Sequence, residues 1–248
     1  MSCTPKATHF VKAQTIYNQN LASASNHDNI PLVCRCGNHD VGNSQTKASM
    51  KRFTAAFGDD FLAFWVHGTC NIVINTALFA DPTGAMDLYQ QQLVWLEDRL
   101  QYAQRNDAAN IFVFGHHPWF LYKEDEKKED LQGLSPYPME WNMQGGAGGF
   151  PDSYFHIPIQ YRARVMDLFR LYQVDAAFSG HFHQNLVSKT SFGMDVIMTS
   201  SLSMVFESTG KPKDFEPSVR GIRVVECEVE ETGRGRFSHR FELLEESN

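Results

Sequence analysis

The sequence of 248 residues has no window of about 18 apolar residues, the length that a membrane-spanning helix requires, so no such helix is expected. Its N-terminus, MSCTPKATHFVKAQ, has no continuous apolar core and does not read as a signal peptide. Cysteine is scarce: Cys3, Cys34, Cys36, Cys70 and Cys227 are too scattered for a disulfide scaffold. A reducing, cytoplasmic setting fits that usage. Cys34 and Cys36, two apart on an expected strand, are expected to be two buried thiols. Positive charge is also in deficit. With 22 Lys and Arg against 29 Asp and Glu, the formal charge of -7 argues against nucleic acid or an anionic membrane as partner. No Ser/Pro/Gly-rich linker and no internal repeat divides the chain. The 42% hydrophobic content suffices for one sizeable core, and a single domain over 1–248 is expected.

What is present is a series of short apolar runs separated by helical patterns. PLVCRC at 31–36 predicts a buried strand ending at Gly37. Residues 61–77 predict two strands, FLAFWV and CNIVINT, joined at His67-Gly68. Met86, Tyr89, Leu93, Leu96, Leu100 and Ala103 keep the spacing of an amphipathic helix over 85–104. IFVF at 111–114 predicts another buried strand, 160–172 a second helix, and VDAAFS at 174–179 a strand ending on glycine. From Met194 onward only strands are expected: MDVIM, GIRVVECEV and GRFSHRFELL. The last alternates Phe237, His239, Phe241 and Leu243 as a half-exposed antiparallel strand would. A helix is expected over about 10–25, with Met1–Pro5 disordered. The stretch 123–151, running from KEDEKKED to GGAGGFP, has length without periodicity and predicts a surface loop or lid.

Three of the apolar strands end in a glycine followed by residues that bind metals: CGNHD at 36–40, FGHHP at 114–118 and SGHFH at 179–183. Beyond the carboxyl ends of parallel strands, glycine lets backbone and side chains converge on a ligand. A lone histidine at a strand end is usually packed or solvated. The same pattern at three ends makes Asn38, His39, His116, His117, His181 and His183 candidates together. Imidazole and amide oxygen suit zinc, iron or manganese more than calcium. Two such ions about 3.5–4 Å apart clamp a phosphoryl group, and a histidine that binds neither can protonate the leaving oxygen. A structural zinc site is disfavoured, because its cysteine-rich spacings are absent.

GNHD, GH-x-P and GH-x-H, in this order, resemble the later motifs of the calcineurin-like metallophosphoesterase superfamily. The resemblance covers about residues 29–230. It implies an α/β fold, the four-layer α/β/β/α sandwich, and hydrolysis of phosphate esters with two divalent ions of manganese, iron or zinc. By motif position it implies Asn38, His116 and His181 as ligands of the second metal and His183 as a ligand of the first. His39 is implied as general acid and Asp40 as a supporting residue behind the ligands; His117 falls at a position that is not a ligand. The implied partner is a phosphorylated protein, at phosphoserine or phosphothreonine, or a small phosphate ester.

The family's opening motifs, Asp-x-His and then Gly-Asp, are not in the sequence. Ahead of Asn38 the only carboxylate is Asp28, expected about 20 Å from the site at roughly 3.3 Å per strand residue. His9 and His27 have no motif around them. An N-terminally truncated domain is therefore expected, one that holds at most about one ion. The alternative is a catalytically impaired isoform or pseudophosphatase that acts by binding or regulation.

Overall fold

The computed structural model describes residues 33–127, 154–202, 219–233 and 235–244. The expected helix over about 10–25, the segment Met1–Pro5, His9, His27, Asp28 and most of 123–151 lie outside the described residues.

The described elements are, in chain order, α1 (Asn38–Val41), α2 (Lys47–Phe57), β1 (Leu62–Val66), β2 (Thr69–Val73), α3 (Ala77–Ala80), α4 (Met86–Arg105), β3 (Asn110–Phe114), α5 (Ile159–Leu171), β4 (Ala176–Ser179), β5 (Leu186–Lys189), β6 (Asp195–Met198), β7 (Gly221–Val229) and β8 (Gly235–Leu243). β1 to β6 form one sheet in the order β1-β2-β3-β4-β6-β5. β2, β3, β4 and β6 run parallel, and the antiparallel β1 and β5 close the two edges. Parallel strands are covered on both faces, which is why β2 and β4 are buried at every residue and read as continuous apolar runs.

Side chains alternate across the sheet, and the alternation sorts them into two cores. Ile72, Ile111, Val113, Ala177 and Val196 face α4 and α5, meeting Leu93, Leu96, Leu100, Val165 and Phe169. Phe112, Ala176, Phe178 and Ile197 point the other way, onto Val225 and Phe237 of the β7–β8 ribbon. The rings of Phe112 and Phe237 meet edge to face at 5.0 Å between centroids. Helices, six-stranded sheet and two-stranded sheet are thus stacked as layers of an α/β sandwich. Gln92, buried on α4, exchanges two hydrogen bonds with the backbone of Asn75, at 2.7 and 3.0 Å. That pins the chain just past β2, where it approaches the end of β3.

Two features differ from the expectation. Residues 33–36 form no strand, because none of the described strands pairs with them. Residues 35–37 instead reach the carboxyl ends of β3 and β4. An ideal Cβ on Gly37 would lie 2.9 Å from the His116 ring, and one on Gly180 would lie 3.5 Å from the Arg35 guanidinium. Cys36 is buried and Cys34 only partly so; Cys36, Cys70 and Cys227 are free thiols. The second difference is α2, which the strand-led reading passes over. Thr46 caps it, accepting from the Ser49 N–H at 3.2 Å, while Ser49 Oγ accepts from the Thr46 N–H at 3.0 Å. Met50, Phe53 and Phe57 pack its inner face against Cys36 and Val41.

Candidate metal centre

Parallel pairing brings two of the three glycine motifs side by side. Phe114 of β3 is in register with Phe178 of β4. The ladder runs on past both strands, with Gly115 N–H donating to Phe178 O at 2.9 Å and Gly180 N–H to His116 O at 3.0 Å. His116 and His181 therefore emerge next to each other. Thr76 grips the first turn from the side, its Oγ1 accepting the N–H groups of His116 and His117 at 2.7 and 2.8 Å. Gly115 is needed for that approach: a Cβ there would fall 2.2 Å from Thr76 Cγ2. Gly37 is needed for the same reason against the His116 ring. In the third motif Phe182 N–H donates to Gly180 O at 2.6 Å, a three-residue turn around His181. His181 and His183 sit at φ 63° and 56°. Such left-handed backbone is uncommon for a residue with a Cβ and concentrates at functional sites.

Asn38 arrives from α1. Its Oδ1 lies 2.9 Å from His116 Nε2, and His181 Nδ1 lies 3.1 Å from the same nitrogen. Donor atoms sharing one ion at about 2.1 Å are themselves roughly 3.0–3.5 Å apart, so this spacing is close to that of a shared coordination sphere. Hydrogen bonding fixes the lone pairs. His181 Nε2 lies 3.2 Å from the Tyr154 carbonyl, which only accepts, so Nε2 carries the proton and Nδ1 is the free lone pair. Asn38 Nδ2 donates to Asn43 Oδ1 and to Tyr154 Oη, both at 2.9 Å, which turns Oδ1 toward His116. One proton, on His116 Nε2, is then shared between Asn38 Oδ1 and His181 Nδ1. Moved to Nδ1 of the same ring, it leaves three lone pairs facing one point. This donor set fits a borderline divalent ion.

The electrostatics favour the same state. Burial, and then the neighbouring cations and imidazoles, push His116 and His117 well below the ordinary histidine range, and burial pushes His181 down to about 3. All three are neutral at physiological pH, as ligands must be. Arg35 contributes to each of these shifts and is itself lowered to about 10 by burial.

The nitrogens of His116, His117 and His181 that could bind an ion all lie within 4.8 Å of one another. This group includes His117, which the motif comparison leaves aside, and His183 is not part of it. No carboxylate belongs to it among the described residues. His183 is half-buried and near enough to depress the proton affinity of His181. His39 is exposed on α1, and its charge reaches both His116 and His181. Asp40 accepts the Gly37 N–H at 2.8 Å and closes the turn that carries Asn38; burial raises its carboxyl. Two residues around the centre carry no motif signal: Tyr154, whose contacts cross 116 residues to Asn38, and Thr76.

The described elements form an α/β sandwich with asparagine and histidines gathered beyond the parallel strands. A purple acid phosphatase from yellow lupin seeds shares the fold, with a TM-score of 0.52 at 12% identity over 92% of this chain and 41% of that one. In sequence the chain is related to the serine/threonine-protein phosphatases CPPED1. That of Danio rerio is 33% identical over 173 residues, 70% of this chain and 48% of the relative. That of Homo sapiens is 30% identical over 217 residues, 88% of this chain and 57% of the relative. The chain thus spans about half the length of the curated relatives it matches. No protein-family model matches it.

Proposed function

We propose that this chain carries the asparagine–histidine half of a metal-dependent phosphoric ester hydrolase site, of the serine/threonine protein phosphatase kind. The observation that carries the reading is the convergence of Asn38 Oδ1, His116 Nε2 and His181 Nδ1 within 3.1 Å contacts. In this reading those three atoms hold one divalent ion of manganese, iron or zinc. His183 is the ligand the chain offers to a second ion beside it. Bound there, a divalent ion supplies electrostatic stabilisation to the phosphoryl oxygens. His39, exposed at the rim, donates the proton to the leaving oxygen. Asp40 holds the α1 turn and so the direction of Asn38. The substrate is a phosphorylated protein or a small phosphate ester, and the setting cytoplasmic, supported by the free thiols at Cys36, Cys70 and Cys227. No helix among the described residues is long and apolar enough to cross a membrane.

The test is metal stoichiometry together with hydrolysis. Equilibrium dialysis against Mn²⁺ or Zn²⁺ is expected to give about one tightly held ion per chain, since a second needs carboxylates that the group lacks. His181→Ala and Asn38→Ala should each weaken binding by more than about a hundredfold, beyond what loss of a supporting residue costs. Both should also abolish release of phosphate from a phosphoserine peptide. Binding left at the wild-type level in both variants would remove the site.

A further inference from the structure

One wall of the centre is a short piece of chain, residues 154–157, and Tyr154 on it touches two of the three converging donors. Its hydroxyl accepts from Asn38 Nδ2 at 2.9 Å and donates to Asn43 Oδ1 at 3.3 Å. Its carbonyl accepts from His181 Nε2 at 3.2 Å, and its ring packs on the His181 imidazole at 5.0 Å. With its proton given to Asn43, the hydroxyl can only accept, and together with Asn43 Oδ1 it decides which end of the Asn38 amide faces His116. The carbonyl decides which His181 nitrogen is left with a lone pair. Neither amide sense nor tautomer is set by the ligands themselves.

Behind Tyr154 lie three ionisable side chains that touch none of the converging donors. Glu126, His156 and Arg162 are exposed by only 3%, 4% and 1%. Burying such groups is unfavourable unless every one of them is engaged. Here they are. The Glu126 carboxylate accepts the N–H groups of Leu121, Tyr122 and Lys123 at 2.7, 2.8 and 3.0 Å and meets His156 Nδ1 at 2.6 Å. Arg162, on α5, donates to the carbonyls of Ile157 at 2.7 Å, of Glu124 at 3.1 Å and of Glu126. Ile157 N–H donates to Pro118 O at 3.0 Å. The strap carrying Tyr154 is therefore fastened, two and three residues on, to the segment that follows His116 and His117 and to α5.

We infer that Tyr154 is a positioning residue for a divalent cation, orienting Asn38 and His181, and that Glu126, His156 and Arg162 form the clamp that holds it in place. The inference rests on the proposal that the centre binds a metal ion. Partners behind metal ligands commonly contribute about 10- to 100-fold to metal affinity, which sets the scale of the effect.

Co²⁺ is a suitable probe, because its visible absorption reports the geometry of its ligands without turnover. Titrated into the full chain, Tyr154→Phe keeps ring and carbonyl but loses the hydroxyl. It is expected to weaken Co²⁺ binding about tenfold and to change the spectrum, with the thermal midpoint of the metal-free protein little altered. His156→Ala should weaken binding in the same direction through a residue that touches no donor. The double variant should fall short of the product of the two single effects, since both act through Tyr154. Wild-type affinity and spectrum in Tyr154→Phe would overturn the inference even if His156→Ala fails to fold, and fully multiplicative losses would sink the clamp. Absence of Co²⁺ binding by the wild type would overturn the metal reading and this inference with it. Intact binding with unaffected variants would overturn this inference alone.

Discussion

His39 and the histidines behind it differ most in exposure, and that difference is consistent with the roles proposed for them. His116, His117 and His181 are held neutral by burial, which suits donors to an ion and unsuits proton donors. His39 is exposed on α1 within electrostatic reach of His116 and His181. If His39 protonates the leaving oxygen, His39→Ala should change little in the chain as given, where the metal pair limits the rate; in a version extended by a segment carrying Asp-x-His and Gly-Asp it should lower kcat on a phosphoserine peptide by about 10²–10⁴. The loss should be much smaller on an aryl phosphate, whose leaving group needs little protonation. Equal losses on the two substrates would leave His39 a positioning residue. At this scale the sequence is informative about residue type and motif order. It is silent about Tyr154 and Thr76, whose contacts reach across 116 and 40 residues and follow no local period.

At the scale of elements, the strand-end glycines are not equivalent. Gly115 admits Thr76, and an added methyl would lie 2.2 Å from Thr76 Cγ2; at Gly180 the nearest atom would be 3.5 Å away. Gly115→Ala should therefore part the end of β3 from residues 74–76 and weaken the bonds from Thr76 to His116 and His117. A loss of about 1–3 kcal/mol in urea unfolding is expected, the usual penalty of overpacking. Gly180→Ala should lose less than about 1 kcal/mol. Equal losses at both positions would mean that the approach to Thr76 is not what selects glycine. Most elements were legible from periodicity. The helix expected over 85–104 is α4, the helix expected over 160–172 is α5, and the pair expected in 61–77 is the β1–β2 hairpin. The difference at 33–36 has a physical cause: an apolar run becomes a strand only beside a partner, none of the described strands lies beside it, and no local pattern says whether a partner is there. The oversight at α2 is of another kind, since Thr46, Ser49, Met50, Phe53 and Phe57 carried a cap and a helical spacing.

Across the molecule, the buried imidazoles couple stability to pH. His117 and His181 stay neutral in the folded chain, the latter down to about pH 3, while in the unfolded chain both take up protons below about 6.5. The unfolded state then binds more protons, so stability falls as pH drops through 6.5 and continues to fall toward the folded values. Each group contributes about 1.4 kcal/mol per pH unit below 6.5, so with His116, which is held neutral in the same way, the three together should remove roughly 4 kcal/mol between pH 7.5 and 5.5. Urea unfolding at the two pH values measures this. Asp40 and Asp60, raised by burial, act in the opposite sense nearer the carboxylate range and flatten the decline at lower pH. Stability unchanged between pH 7.5 and 5.5 would contradict the neutral, buried state of the cluster.

The sequence by itself determined the α/β class, most of the strands and helices, and the three motifs whose residues meet beyond the strands. It could do so because apolar period and glycine position are local properties of the chain. Only the tertiary structure decided which atoms converge. Register between β3 and β4 places His116 against His181, and the turn at Gly37 delivers the Asn38 oxygen to the same nitrogen. It also decided which lone pairs are free, through the Tyr154 carbonyl and hydroxyl. Coordination depends on angles and proton positions accurate to tenths of an ångström, and those are fixed by contacts between residues far apart in the chain.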